Sequence, residues 1–151
     1  MTEKELWHAF CEKSGTDENT PYEAWAFGEA PDKLAALVRL GVKTATASAA
    51  DAYALDGEPL PEVGEYSVIL DSNDDAVCVI RDTKVYVTPY CEVTAEHAFK
   101  EGEGDRSLAY WRQVHEPFFR NELESYGIGF DENMNVLCEE FEVLYVSDDK
   151  N

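Results

Sequence analysis

The sequence predicts an α+β domain in which a few, mainly antiparallel strands curl into a small barrel with helices packed around it. Three observations carry this expectation. Helical apolar spacing dominates the first 40 residues; two alternating runs separated by Ser72-Asn73-Asp74-Asp75 read as a hairpin; and a long helical segment precedes a last alternating run from Val136 to Val146. With 151 residues, a single domain over 1–151 can bury a core without metal or disulfide staples.

The elements follow in order. Leu6, Trp7 and Phe10 fall on one side of a first helix over 3–13. Thr20-Pro21-Tyr22-Glu23 is expected to open a short second helix that presents Tyr22 and Trp25, because proline suits a first helical turn. For the next helix, Pro31 and Asp32 suit the start, Leu34, Leu37, Val38 and Leu40 form an apolar stripe, and Gly41 fits the left-handed position that ends helices. Thr44 to Ser48 alternates as a short strand, and Leu60-Pro61-Glu62-Val63-Gly64 punctuates the chain before a strand at 66–70 and a run at 76–87 that reads as one long strand or two with a bend. Thr94 is an N-cap for a helix starting at Ala95, which the glycines of Glu101-Gly102-Glu103-Gly104-Asp105 interrupt. A longer helix from Ser107 to Glu124 contains Pro117 as a kink point.

Composition narrows the function. Thirty-two acidic against 12 basic residues give a net charge of −20, yet 44% hydrophobic and 12% aromatic content argues against disorder. Acidity on this scale repels polyanions at long range, which excludes a duplex-coating role and leaves a small polar ligand, or a short RNA held by a local cluster of Lys and Arg. Met1-Thr2-Glu3-Lys4-Glu5 is not an apolar leader, and no run approaches the roughly 20 apolar residues of a membrane span. The expectation is a cytoplasmic protein with no membrane partner. Cys11, Cys78, Cys91 and Cys138 form no Cys-x-x-Cys unit, so they are expected to be reduced thiols packed as small hydrophobes.

Chemistry concentrates in Gly41-Val42-Lys43-Thr44-Ala45-Thr46, which sets a lysine three residues before a threonine where a helix stops. A threonine hydroxyl is a poor nucleophile until a base takes its proton, and a desolvated lysine can be that base in acyl transfer. In an ideal strand Thr44, Thr46 and Ser48 share one face while Lys43 points the other way, so the pair requires a turn or bulge at the junction. A solvated lysine following a helix C-cap is the plain alternative.

Several pieces occur together in order: Trp25-Ala26-Phe27-Gly28, the 41–46 motif, Leu60-Pro61-Glu62-Val63-Gly64-Glu65-Tyr66, Val93-Thr94-Ala95-Glu96-His97-Ala98, the 101–105 segment and Tyr110-Trp111-Arg112-Gln113-Val114-His115. Their combination resembles an ASCH-domain protein of the longer bacterial type over residues 22–145. The resemblance implies a PUA-like β-barrel, related to an RNA-binding domain, with a cleft between barrel and helices at the Gly-x-Lys-x-x-Thr motif. It also implies a choice of activities, since small family members remove the acetyl group from N4-acetylcytidine with a lysine, a threonine and a glutamate, and a longer type is a metal-dependent single-strand ribonuclease. Fold does not choose between them. Carried onto this sequence, the three catalytic residues fall on Lys43, Thr46 and Glu101.

In the amidohydrolase scheme Thr46 attacks the acyl carbon, Lys43 takes its proton and returns it to the leaving amine, and Glu101 orients the lysine. A tight pair with ionised Glu101 favours the charged lysine, however, and would make Lys43 an electrostatic stabiliser in place of a base. Ser48, Arg106 and Arg112 are candidate ligand contacts, the guanidinium groups through paired donors to phosphate. Their plain alternatives are a backbone-satisfied hydroxyl and surface salt bridges. Trp111 and His115 stand at i, i+4, a spacing that suits a core tryptophan capped by a satisfied histidine. His8, His97 and His115 lack zinc-ligand spacing, and amide hydrolysis requires no metal; for a ribonuclease, Glu101, Glu103 and Asp105 could hold manganese or magnesium. The expected partner is a nucleoside or a short single-stranded RNA, with a hydrolase favoured over a non-catalytic binding module.

Overall fold

The computed structural model describes residues 1–147; residues 148–151 of the expected domain lie outside the described residues. The elements are α1 (Glu3–Ser14), β1 (Tyr22–Ala26), α2 (Pro31–Arg39), β2 (Ala45–Ala49), α3 (Ala50–Leu55), β3 (Tyr66–Leu70), β4 (Ala76–Pro89), α4 (Ala95–Glu101), α5 (Leu108–Glu124) and β5 (Asn135–Val146), with a 3-10 turn at Tyr90–Glu92. Five strands form a mixed sheet in the order β1-β3-β4-β5-β2. The pair β1/β3 is parallel, whereas β3/β4 and β2/β5 are antiparallel. Helices and a mainly antiparallel sheet give the α+β class that the sequence predicts. No helix among the described residues is long and apolar enough to cross a membrane.

The chain forms two compact units. The first comprises Met1–Val42, Val63–Thr83 and the described residues from Phe141. Thr2 caps α1 through a reciprocal box with Glu5, and Leu6, Trp7 and Phe10 bury against Val68 and Val79 of the β3/β4 hairpin. The helix expected at Tyr22 is instead strand β1, whose Tyr22 pairs with Tyr66 and stacks on Trp7 at 4.4 Å. Five residues are too few to sustain a helix nucleus, and parallel pairing with β3 satisfies their backbone while burying aromatic side chains. α2 follows the predicted bounds, ending with Gly41 at φ 78° and burying Val38 and Ala35 beside Ile69 and Ile80.

The second unit comprises Lys43–Glu62 and Lys84–Glu140, and it holds every candidate site residue. Its core packs Trp111, Phe119 and Leu123 of α5 against Ala49, Val136 and Cys138 of β2 and β5, with Tyr90 and Val93 from the turn after β4. Ser107 caps α5, which then runs unbroken through Pro117. The carbonyl that Pro117 cannot serve belongs to Gln113, and both residues are exposed, so that carbonyl is open to solvent.

Candidate functional site

The site is assembled by α4 and the segment before β2. Thr94 accepts a hydrogen bond from the His97 amide at 3.1 Å, which sets the first turn of α4, and Gly102 ends the helix at φ 74°. Between those caps, His97 and Glu101 stand at i, i+4 on the buried face, while Lys100 turns outward to Glu96 at 3.1 Å and Glu140 at 3.0 Å. The Thr44 amide donates to the Lys100 carbonyl at 2.7 Å, pinning the segment that carries Lys43 to the end of α4. Lys43 lies outside the strand, after a turn at residues 40–41 and a bend at 42.

Glu101 is the hub. It is 1% exposed, and four side chains converge on its two oxygens. Lys43 Nζ reaches Oε1 at 3.2 Å; His97 Nε2 and Trp111 Nε1 reach Oε2 at 2.7 and 2.5 Å; His115 Nε2 stands 3.6 Å from Oε1. Lys43, also 1% exposed, donates in addition to Glu103 Oε2 at 2.9 Å. Burial alone would push the Glu101 carboxyl up, but the Lys43 ammonium, the His97 hydrogen bond and the charges of His115 and His97 override it and hold the group at about 2. Glu101 is thus a carboxylate at any physiological pH. An ammonium already donating to two carboxylates has no lone pair with which to take a proton, so this geometry casts Lys43 as a fixed cation.

The two histidines differ. His97 gives its Nε2 proton to Glu101, and its buried Nδ1 has no hydrogen-bond partner among the described residues. His115 turns Nδ1 to the Trp111 carbonyl at 2.9 Å and stacks its ring on the Trp111 indole, with centroids 4.2 Å apart at 14°. Glu101, Glu103, Ser107, Tyr110, Trp111 and His115 line a recess, tightened inside to room for about one water. One wall is a close approach. A Cβ on Gly104 would come within 2.4 Å of the Tyr110 ring, so only glycine lets this loop lie flat on it.

The remaining expected site residues are placed less centrally. Thr46 is half-buried on β2 opposite Glu139, and the lysine's contacts above are with Glu101 and Glu103. Ser48 Oγ lies 3.2 Å from the Tyr53 hydroxyl. Arg106 donates to the Phe99 carbonyl at 3.1 Å and stacks over the exposed Phe99 ring at 3.7 Å. Arg112 is exposed, with Nη2 at 3.4 Å from the Cys91 carbonyl. Of the acidic trio, Glu101 is occupied by protein donors, Glu103 binds Lys43, and Asp105 accepts from the Ser107 amide at 2.9 Å. Among the described residues no group of three or more His, Cys, Asp or Glu is arranged to hold a metal ion. His97, Trp111 and His115 belong to the cluster, although sequence reasoning assigns the latter two to the core. Their i, i+4 spacings were the available signal.

An ASCH domain family model matches residues 23–145, within one residue at its start of the segment that carries the resemblance. The chain belongs to the ASCH family. Among solved structures, this ASCH protein is similar to protein EF3133 from Enterococcus faecalis V583, described under family DUF984, with 35% identity over 95% of this chain and 88% of that one and a TM-score of 0.86. It is also similar to an ASCH domain from Lactobacillus crispatus JV V101, with 30% identity over 96% of each chain and a TM-score of 0.87. Hypothetical protein PH0355, at 14% identity over 82% of this chain and 99% of that one with a TM-score of 0.57, shares the fold alone. No curated protein matches the chain significantly. The PUA-like, α+β fold class expected from the sequence is therefore that of the family.

Proposed function

We propose that this ASCH protein is a hydrolase that cleaves the amide of an acylated nucleoside, of the N4-acetylcytidine type, at the Lys43–Glu101 cluster. The observation that carries the proposal is a fully buried ammonium fixed between two carboxylates, both of which line a recess together with aromatic and imidazole groups. Charged groups held this far from water are expensive unless the charge is used, and clefts are where they cluster in enzymes. Glu103 is the replaceable partner: it is 19% exposed and sits between two glycines in left-handed conformation. If Glu103 swings away, one Lys43 proton becomes available to an acyl oxygen that gains negative charge in the transition state. Glu101 keeps the lysine charged and in place. Entry of a base requires Tyr110 and the loop around Gly104 to move, because the recess as it stands admits only about one water.

Incubation of purified protein with N4-acetylcytidine and with a short single-stranded RNA, each with manganese and with chelator, tests the assignment. The expected result is release of cytidine and acetate, insensitive to chelator and lost in Lys43→Met. Manganese-dependent cleavage of the RNA with the acetylated nucleoside untouched would establish the ribonuclease in its place, and binding without turnover would establish a non-catalytic module. Thr46→Ala decides whether the attacking oxygen is the threonine hydroxyl: loss of turnover supports it, and retention hands the attack to water.

A further inference from the structure

Hydrolysis at this cluster leaves one step without an actor, the group that takes a proton from the attacking oxygen, since Lys43 is committed as a cation. We infer that His115 is that base and that the oxygen it activates is a water in the recess, a role that rests on the hydrolase assignment. The tautomer is the first argument. A backbone carbonyl only accepts, so the Nδ1 that faces the Trp111 carbonyl at 2.9 Å carries the proton, and in the neutral ring Nε2 is left with its lone pair.

That lone pair faces Glu101 Oε1 across 3.6 Å. The spacing is too long for a direct hydrogen bond, and both atoms are acceptors when the ring is neutral. A histidine serving only the core would close on the carboxylate with an N–H, as His97 does at 2.7 Å. Two acceptors at this separation are reconciled by a water that donates one O–H to each. Both side chains line the recess, and its interior has room for about one such molecule. Thr46 does not line it. The frame is rigid: the imidazole stacks on Trp111, whose indole N–H holds Glu101 Oε2 at 2.5 Å, and Phe118 and Phe119 flank the ring from the same helix. The titratable group facing His115 is Glu101, and through that carboxylate it is linked to Lys43 and His97, with Glu103 on the lysine's other side.

The step balances without a co-reactant beyond water. His115 Nε2 takes one water proton as the water oxygen bonds to the acyl carbon, and the carbonyl electron pair moves onto its oxygen. The imidazolium so formed lies against ionised Glu101, whose negative charge stabilises it. Collapse re-forms the carbonyl and breaks the carbon–nitrogen bond, the leaving nitrogen takes the proton back from Nε2, and the acid product loses its proton to solvent.

His115→Asn tests the assignment, because its amide can still donate to the Trp111 carbonyl while placing no atom at Nε2. With N4-acetylcytidine over roughly pH 5 to 9, kcat is expected to fall at least about 100-fold, with KM changed less than about threefold and the acid limb of the wild-type profile lost. Added imidazole is expected to restore part of the rate. A variant that keeps kcat within about threefold and retains the acid limb overturns the role of His115 alone, whereas a wild-type protein that never turns over sinks the hydrolase assignment and His115 with it. Should the variant not fold, nitrogen NMR of the wild-type imidazole decides: the Nδ1–H tautomer is expected, and the Nε2–H tautomer refutes the inference.

Discussion

Replacing Glu101 by glutamine removes one charge from the buried cluster and almost no volume, so its consequences can be worked out. The Glu101 carboxyl titrates at about 2 in the folded protein against an ordinary 4.5, because its cationic and hydrogen-bonding partners outweigh burial. A depressed folded-state pKa stabilises the fold fully above the unfolded value, and that contribution is lost as pH falls from about 4.5 through about 2. At about 1.4 kcal/mol per pKa unit, the window holds roughly 3 kcal/mol. A second route reaches a similar figure. At neutral pH the variant leaves Lys43 buried with Glu103 as its one remaining carboxylate, and breaking a buried pair costs roughly 3–5 kcal/mol.

Urea denaturation of wild type and Glu101→Gln at pH 7, 5 and 3 measures both quantities. The variant is expected to be roughly 3–5 kcal/mol less stable at neutral pH, with the gap narrowing by about 2 kcal/mol at pH 3. The difference between the proteins is the relevant quantity, since the other carboxylates of this acidic chain titrate in both. Parallel stability profiles, or a gap below about 1 kcal/mol at neutral pH, would show that Glu101 is not held by the cluster.

Three further outcomes are expected. Gly104→Ala drives a Cβ to 2.4 Å from the Tyr110 ring at φ 59°, so it should cost roughly 1–3 kcal/mol and alter the near-ultraviolet circular dichroism of the recess tyrosine; an unchanged spectrum and stability contradict the close approach. Burial pushes the thiols of Cys78 and Cys138 up to about 12 and raises that of Cys11, whereas Cys91 is exposed. A thiol-specific disulfide reagent should label Cys91 rapidly in the native protein and the others only on unfolding, and fast native labelling of Cys138 tells against the packed second unit. With a net charge of −20, no mobility shift is expected with duplex RNA or DNA at about 0.15 M salt; tight, salt-sensitive duplex binding would overturn the charge argument.

Elements whose signals are local were legible in the sequence. Thr94 caps the helix it was expected to cap, the long helix begins one residue after the expected Ser107, Gly41 takes the left-handed position, and the hairpin turns at Ser72–Asp75. Strand β1 was not legible, because its reason for being a strand is Tyr66 and its neighbours, some 40 residues away in the chain. The same division runs through the site. The i, i+4 pair His97/Glu101 was visible, and so was the lysine motif, but nothing local reveals that Lys43 would close on Glu101 and Glu103, or that Trp111 would spend its indole proton on the same carboxylate. A carboxylate hub is a long-range object, and spacing shows only the halves that share a helix.

The charge distribution bears on substrate choice as well as on partners. The buried cluster holds the Lys43 ammonium and the His97 imidazole within hydrogen-bonding range of one carboxylate, yet the chain as a whole is strongly acidic. Arg106 and Arg112, the expected phosphate contacts, are engaged with the Phe99 ring and the Phe99 and Cys91 carbonyls. A phosphorylated ligand therefore meets the repulsion of the surface without a preformed guanidinium clamp to offset it. An uncharged nucleoside carries no phosphate for that field to repel, and its acyl carbonyl is a group that a fixed ammonium would stabilise as charge develops on it. On the hydrolase proposal, the neutral acylated nucleoside is the expected substrate over its nucleotide: the acidic exterior disfavours the phosphate, and the buried lysine would supply the charge that the amide oxygen needs only as it reacts.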